Sequence, residues 1–128
     1  MEYIILEKVE DKKTILDDIF FEISCRKQGI KRAMQKFSNR EGYVVEGKAI
    51  CFRNDLDEYE FSKLKIPLDE EHILLEADSN YSSIAENSQA YLTFEEFYSY
   101  LESNIERFED TDVVALLATV KHGLNLWF

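Results

Sequence analysis

The hydrophobic period of this chain changes twice along its length, and that order limits the folds open to it. Between Thr14 and Phe37 the apolar residues recur at helical spacing: Ile15, Leu16, Ile19, Phe20 and Ile23, then Ile30, Ala33, Met34 and Phe37. From Tyr43 the pattern shortens to alternation, with Ile50 and Phe52 on one face of the 48–53 segment and Ala49, Cys51 and Arg53 on the other. From Thr93 the helical spacing returns as Phe94, Phe97, Leu101, Ile105 and Phe108, then Val113, Val114, Leu116, Leu117 and Val120. Helices, strands and helices in separate runs predict an α+β fold. Its expected parts are two N-terminal helices, a small antiparallel sheet of three to four strands, and two C-terminal helices packed on one face.

Local signals refine this outline. Thr14 with Asp17 reads as an approximate capping box opening the first helix, and Gly29 as its stop. Glu46-Gly47 reads as a turn between Tyr43–Val45 and Lys48–Arg53, and Asn54–Asp57 as a further turn. Glu58-Tyr59-Glu60-Phe61 alternates acidic and aromatic and predicts a strand. Leu64 and Ile66 then fall on the opposite parity, which calls for a bulge near Ser62-Lys63, and Pro67 ends the segment. In His72–Glu76 three consecutive apolar residues predict a central strand buried on both faces. Residues 78–90 are polar and read as a long loop. Thr93 and Glu96 form a clear capping box for the next helix, and 110–112 open the last one, which Gly123 stops. Tyr3–Leu6 is either an edge strand or an N-terminal arm, and the apolar tail 124–128 either docks or stays exposed.

With 128 residues and nine Phe and seven Tyr, the chain is expected to be a single domain, 1–128, with enough apolar mass to fold unaided. Cys25 and Cys51 fall in apolar contexts and are expected to be reduced core thiols. No basic-then-apolar leader opens the chain, and no apolar run approaches the ~20 residues that span a bilayer. The expectation is a cytoplasmic protein with no membrane partner.

Charge narrows the function. Residues 1–53 carry 11 Lys and Arg against 9 Asp and Glu, and residues 54–128 carry 4 against 17, so the two halves stand at +2 and −13. A surface of that sign repels nucleic acid and attracts basic protein, in a way that salt weakens. The acidic series is Asp55, Asp57, Glu58, Glu60, Asp69, Glu70, Glu71, Glu76 and Asp78. It sits in the expected turns and strand faces, where folding can gather it into one patch. The basic stretch from Lys27 to Arg40 is too short to make the chain a nucleic-acid binder against a net charge of −11, and reads as a solvated helix face or an internal partner for the acidic half.

Catalytic readings find little support. Asp55-x-Asp57 resembles the start of a calcium loop, but the sixth position, where Gly is needed, holds Glu60. His72 and His122 read as surface or helix-end residues, and no nucleophile elbow, phosphate-cradling glycine loop or Cys-x-x-Cys occurs. Neither cysteine has a base partner. The expectation is no catalytic residue, no metal and no cofactor: a binding protein and not an enzyme.

One segment order has a parallel in a known family. Cys51–Phe61 gives a strand, an acidic turn and a strand; Leu64–Ile66 and Asp69–Leu75 follow; then come Leu92–Leu101, Glu106–Phe108 and a short terminal helix. Over about residues 48–120 this run resembles the immunity proteins of bacterial contact-dependent growth inhibition systems that neutralise ribonuclease toxins. The resemblance implies a stoichiometric inhibitor that binds the basic C-terminal ribonuclease domain of a toxin, 1:1, and touches no nucleic acid itself. Such proteins share no single binding surface, so the expected toxin-binding residues come from charge and placement: Asp55, Asp57, Glu58, Glu60, Glu70 and Glu71, with Tyr59 as an aromatic anchor or a core residue. The alternative is an acidic binding module or nucleic-acid mimic acting on another basic partner.

Overall fold

A computed structural model of the chain describes residues 2–104, 107 and 111–127, with residue 111 described in its backbone only. The expected helical positions Ile105 and Phe108, the helix start at Asp110 and the terminal Phe128 lie outside the described residues. The elements run β1 (Ile4–Ile5), α1 (Val9–Ser24), α2 (Gly29–Ser38), β2 (Tyr43–Val45), β3 (Lys48–Cys51), α3 (Glu58–Ser62), β4 (His72–Ala77), β5 (Ser88–Thr93), α4 (Phe94–Asn104) and α5 (Thr111–Gly123). Short 3₁₀ turns at Arg53–Asp55 and Ser79–Tyr81 punctuate the middle.

The architecture is α+β, as the order of periods predicts. The sheet has five strands in the order β1-β5-β4-β3-β2, antiparallel except where β1 pairs parallel to β5. Five strands exceed the expected three to four. Within Tyr3–Leu6, Ile4–Ile5 forms the edge strand β1, one of the two expected fates of that run, and β5 at Ser88–Thr93 takes over the last three residues, 88–90, of the expected loop. Ser88 and Gln89 are buried although polar, because β5 is hydrogen-bonded on both sides and their backbones are satisfied there.

Three other expectations are corrected. Helix α1 starts at Val9, ahead of Thr14, whose hydroxyl donates back to the Glu10 carbonyl at 2.9 Å from inside the helix. Gly29 opens α2 instead of closing α1: a Cβ there would lie 2.0 Å from the Ile23 carbonyl oxygen, so only glycine permits the approach of the two helices. Glu58–Phe61 is helical, not a strand. The Asp57 side chain accepts from the Glu60 N–H at 2.7 Å and the Glu60 side chain accepts from the Asp57 N–H at 3.1 Å, a reciprocal cap that the alternating pattern concealed. With no strand there, the bulge near Ser62-Lys63 is not needed.

The core lies on one face of the sheet. Val45, Ile50, Ile73, Leu75, Ala77, Ala90 and Leu92 meet the apolar stripes of α1, α2, α4 and α5 in one cluster. Its centre is aromatic, with Phe37 edge-on to Phe97 at 5.0 Å and Phe20 against Tyr100 at 5.4 Å. Helix α5 packs chiefly on α2, whose Lys31 pairs with Asp112 at 3.3 Å, so part of the basic helix face does meet the acidic half. Cys51 is half-buried in β3, whereas Cys25 caps α1 and is exposed, so only one of the expected core thiols lies near the core; both are free.

The Tyr100 hydroxyl ties α4 to α1 by donating to Asp17 Oδ1 at 2.6 Å. Partial burial pushes the Asp17 carboxyl up, but the Tyr100 bond and Lys13 outweigh it and hold the group below its ordinary 3.8. A lowered carboxylate pKa stabilises the fold above 3.8 and loses that contribution as the pH falls through the folded value. Tyr100→Phe is expected to cost about 1 kcal/mol at neutral pH. The gap between variant and parent is expected to shrink below pH 3.8, read from urea midpoints across the acid range.

Candidate functional site

The other face of the sheet is only half covered. Strand alternation sends Leu74 of β4 away from the helices, and its neighbours across the sheet are Cys51 and Tyr91. Leu74 and Leu68 are buried yet stand outside the helix-side core, because the segment that carries Ile66 and Leu68 folds back over this end of the sheet. The Tyr91 hydroxyl pins that cover by donating to the Ile66 carbonyl at 2.5 Å. Towards β2 the cover ends, leaving open the part of one cross-strand row that holds Val44, Ala49 and Glu76.

An open groove of about 520 Å³ occupies this uncovered part. Val44, Ala49 and Cys51 supply its apolar lining, and Asp55, Glu60, Glu76 and Asp78 bring four carboxylates to it. A second depression of about 370 Å³, lined by Tyr59, Lys63 and Leu64, shares Tyr3, Leu56, Glu60 and Glu76 with the first, so the two are continuous. The convergence of charge registers on the neighbours. Burial pushes the Cys51 thiol up to about 12, with Glu76, Asp55 and Glu60 adding to the rise. Burial and the Glu76 and Asp78 charges likewise raise the Tyr3 hydroxyl.

Local structure explains how the residues get there. Asp55 Oδ2 accepts from the N–H groups of Gly42 at 2.8 Å and Phe52 at 2.6 Å, which locks the 3₁₀ turn after β3 against the start of β2. Asp57 caps α3 and so fixes Tyr59 and Glu60 on it. Tyr59 is 69% exposed, which places it on the surface and not in the core, with the Lys63 ammonium 5.0 Å from its ring centre. Asp78 Oδ1 accepts from the Asn80 N–H at 2.8 Å and starts the 3₁₀ turn beside the groove.

The expected site residues do not form one patch. Asp55 and Glu60 line the groove, Tyr59 its continuation, and Asp57 and Glu58 stand at the start of α3 beside it. Glu70 and Glu71 belong elsewhere, in a cleft of about 570 Å³ with Arg40, His72, Phe94, Glu95 and the tail residues Leu124–Leu126. In that tail Leu124 docks and Trp127 is 82% exposed, so both expected fates of the segment occur. There His72 Nδ1 lies 2.7 Å from Asp69 Oδ1, and that contact with the Glu71 N–H holds the Asp69 carboxyl below its ordinary value. Glu76 and Asp78, left out of the expected binding set, line the groove. Parity was the available signal, since Glu76 shares a face with Leu74 and not with Ile73 or Leu75.

Chemically the groove is suited to binding. Its carboxylates lie at an open surface, the Cys51 thiol is protonated at neutral pH, and no histidine lines it. Among the described residues no group of three or more His, Cys, Asp or Glu could hold a metal ion, and no helix is long and apolar enough to cross a membrane.

An α+β domain with a helix-covered sheet and a carboxylate-lined open face has the make-up of a protein-binding module. The chain matches the family described as CDI immunity protein, of contact-dependent growth inhibition systems, over residues 8–113. It belongs to that family, and its role is immunity against a toxin. The match takes in α1, α2 and the hairpin, well ahead of residue 48, where the sequence resemblance begins. No curated protein and no solved structure matches the chain.

Proposed function

We propose that this chain acts in the cytoplasm as a single domain that binds the basic C-terminal ribonuclease domain of its cognate toxin, 1:1, and blocks RNA cleavage through its acidic surface. Membership of the immunity family supplies the partner class. The observation that carries the rest is the set of four carboxylates around an uncovered sheet face. A ribonuclease holds phosphates and is basic where it does so. A carboxylate surface offers the same charge in the same kind of array, and its field speeds encounter. The groove residues Asp55, Glu60, Glu76 and Asp78, with Tyr59 at the rim, are the contacts we favour; Asp57 and Glu58 extend the negative surface along α3. Glu70 and Glu71 are assigned to the margin of the interface at most.

The test is co-purification of the tagged protein with the product of the open reading frame immediately upstream, followed by RNA cleavage with and without this protein. The expected result is a 1:1 complex in which cleavage stops. A complex that leaves RNA cleavage intact, or a toxin domain with no nuclease activity, overturns the ribonuclease reading.

A further inference from the structure

The sheet ends in a free edge, and that edge borders the groove. Strand β2 is outermost, paired only with β3. The turn between them is Glu46-Gly47, with Val45 opposite Lys48 and Tyr43 opposite Ile50. In a hairpin closed by a two-residue turn, the closing pair and the pair two residues on exchange hydrogen bonds. The N–H and C=O of Val44 therefore point away from β3. Among the described residues no backbone or side-chain group bonds them. The preceding outward donor, the Gly42 N–H, is already held by Asp55.

Sheet edges are ordinarily blunted by lysine, proline, a bulge or a covering segment. Tyr43-Val44-Val45 carries neither lysine nor proline, and Val44 is 71% exposed with its side chain on the open face. We propose that an extended basic segment of the toxin partner adds as a further strand along β2, placing alternate Lys or Arg side chains on the groove side, where Asp55, bonded to the Gly42 N–H, and Asp78, bonded to the Gly47 carbonyl, stand at the two ends of β2. This rests on the immunity reading above. Main-chain bonds to Val44 supply affinity without regard to sequence, and the carboxylates select a basic segment over an apolar or acidic one. Lys63 and Lys65 lie towards the α3 end, so the segment enters from the β2 side, where carboxylates predominate.

Val44→Pro removes the outward N–H and costs the sheet no bond of its own, since edge positions of this phase accept proline. It is expected to weaken binding to the toxin domain captured by co-purification about tenfold or more, the worth of one or two backbone hydrogen bonds. Val44→Thr, which alters the side chain but keeps the N–H, is expected to lose less affinity than Val44→Pro, so the difference between the two variants reports the N–H. Amide exchange on the wild-type complex provides a readout independent of either variant: the Val44 N–H is expected to be protected on binding. Parent-like binding by Val44→Pro in a folded protein, or a Val44 amide that exchanges freely in the complex, overturns strand addition and leaves the immunity reading standing. No complex with the wild-type protein overturns both.

Discussion

Glu60→Lys combined with Glu76→Lys slows association with the toxin domain by about tenfold to a hundredfold at low ionic strength, and flattens the dependence of the rate on salt. The pair moves the net charge from −11 to −7, two units for each reversal, but the expected effect comes from position. Both residues line both parts of the open depression, so reversing them replaces attraction with repulsion where a basic side chain would arrive. At salt high enough to bring the Debye length to about 3 Å the two rates converge, because steering is screened while short-range contacts remain. Stopped-flow association over a salt series reads this directly. Parent-like rates at every salt concentration would exclude the sheet face as the interface, and the same reversal at Glu70 and Glu71 then tests the cleft beneath the C-terminal tail.

The choice of Glu60 and Glu76 follows from the structure. Charge alone nominates Asp55, Asp57 and Glu58. Asp55 is bonded to two backbone N–H groups and Asp57 caps α3, so reversing either would damage the fold and leave a loss of binding uninterpretable. Glu60 gives up one 3.1 Å capping contact, and Glu76 gives up its interaction with the Tyr3 hydroxyl.

Helical stripes were legible because they report one repeated environment: every residue of the stripe on α1 meets the same core, so Ile15, Leu16, Ile19, Phe20 and Ile23 are all buried as their spacing predicts. The hairpin and central β4 were legible for the same reason. What failed were segments whose state depends on a distant partner or a single local bond. Ser88 and Gln89 look like loop residues until β1, more than eighty positions away, pairs beside them. Glu58–Phe61 alternates like a strand, yet the Asp57–Glu60 cap decides for helix. The acidic series was visible as composition, but its division between groove and cleft was not. Glu70 and Glu71 precede β4 whereas Glu76 and Asp78 close it, and the length of a strand separates the two ends.

Lys48 provides the second large effect. The 48–53 alternation already assigns it to the face of Ile50 and Phe52, and there the structure buries it, with its side chain 1% exposed. Its ammonium donates to Glu22 Oε1 at 2.6 Å, to the Glu46 carbonyl at 3.2 Å and to the Tyr81 carbonyl. These three partners lie on α1, on the hairpin turn and in the segment that follows β4, so one side chain joins three stretches of chain around Gly47, whose added Cβ would meet the Tyr81 ring at 2.3 Å. Glu22→Leu leaves the buried ammonium with no counter-charge and is expected to cost about 3–5 kcal/mol. Lys48→Met is expected to cost less, about 2–4 kcal/mol, because the Glu22 side chain is 33% exposed and regains water while only the two carbonyls are orphaned. Combining Lys48→Met with Glu22→Leu is expected to recover much of the loss, since an apolar pair of similar volume carries no desolvation cost. Urea unfolding with an unchanged slope gives these differences. If the double variant is as unstable as the two singles added together, the two side chains act independently. Because Lys48 also holds the segment beside Asp78, both single variants are expected to speed amide exchange over residues 79–84 ahead of global unfolding, loosening one wall of the groove.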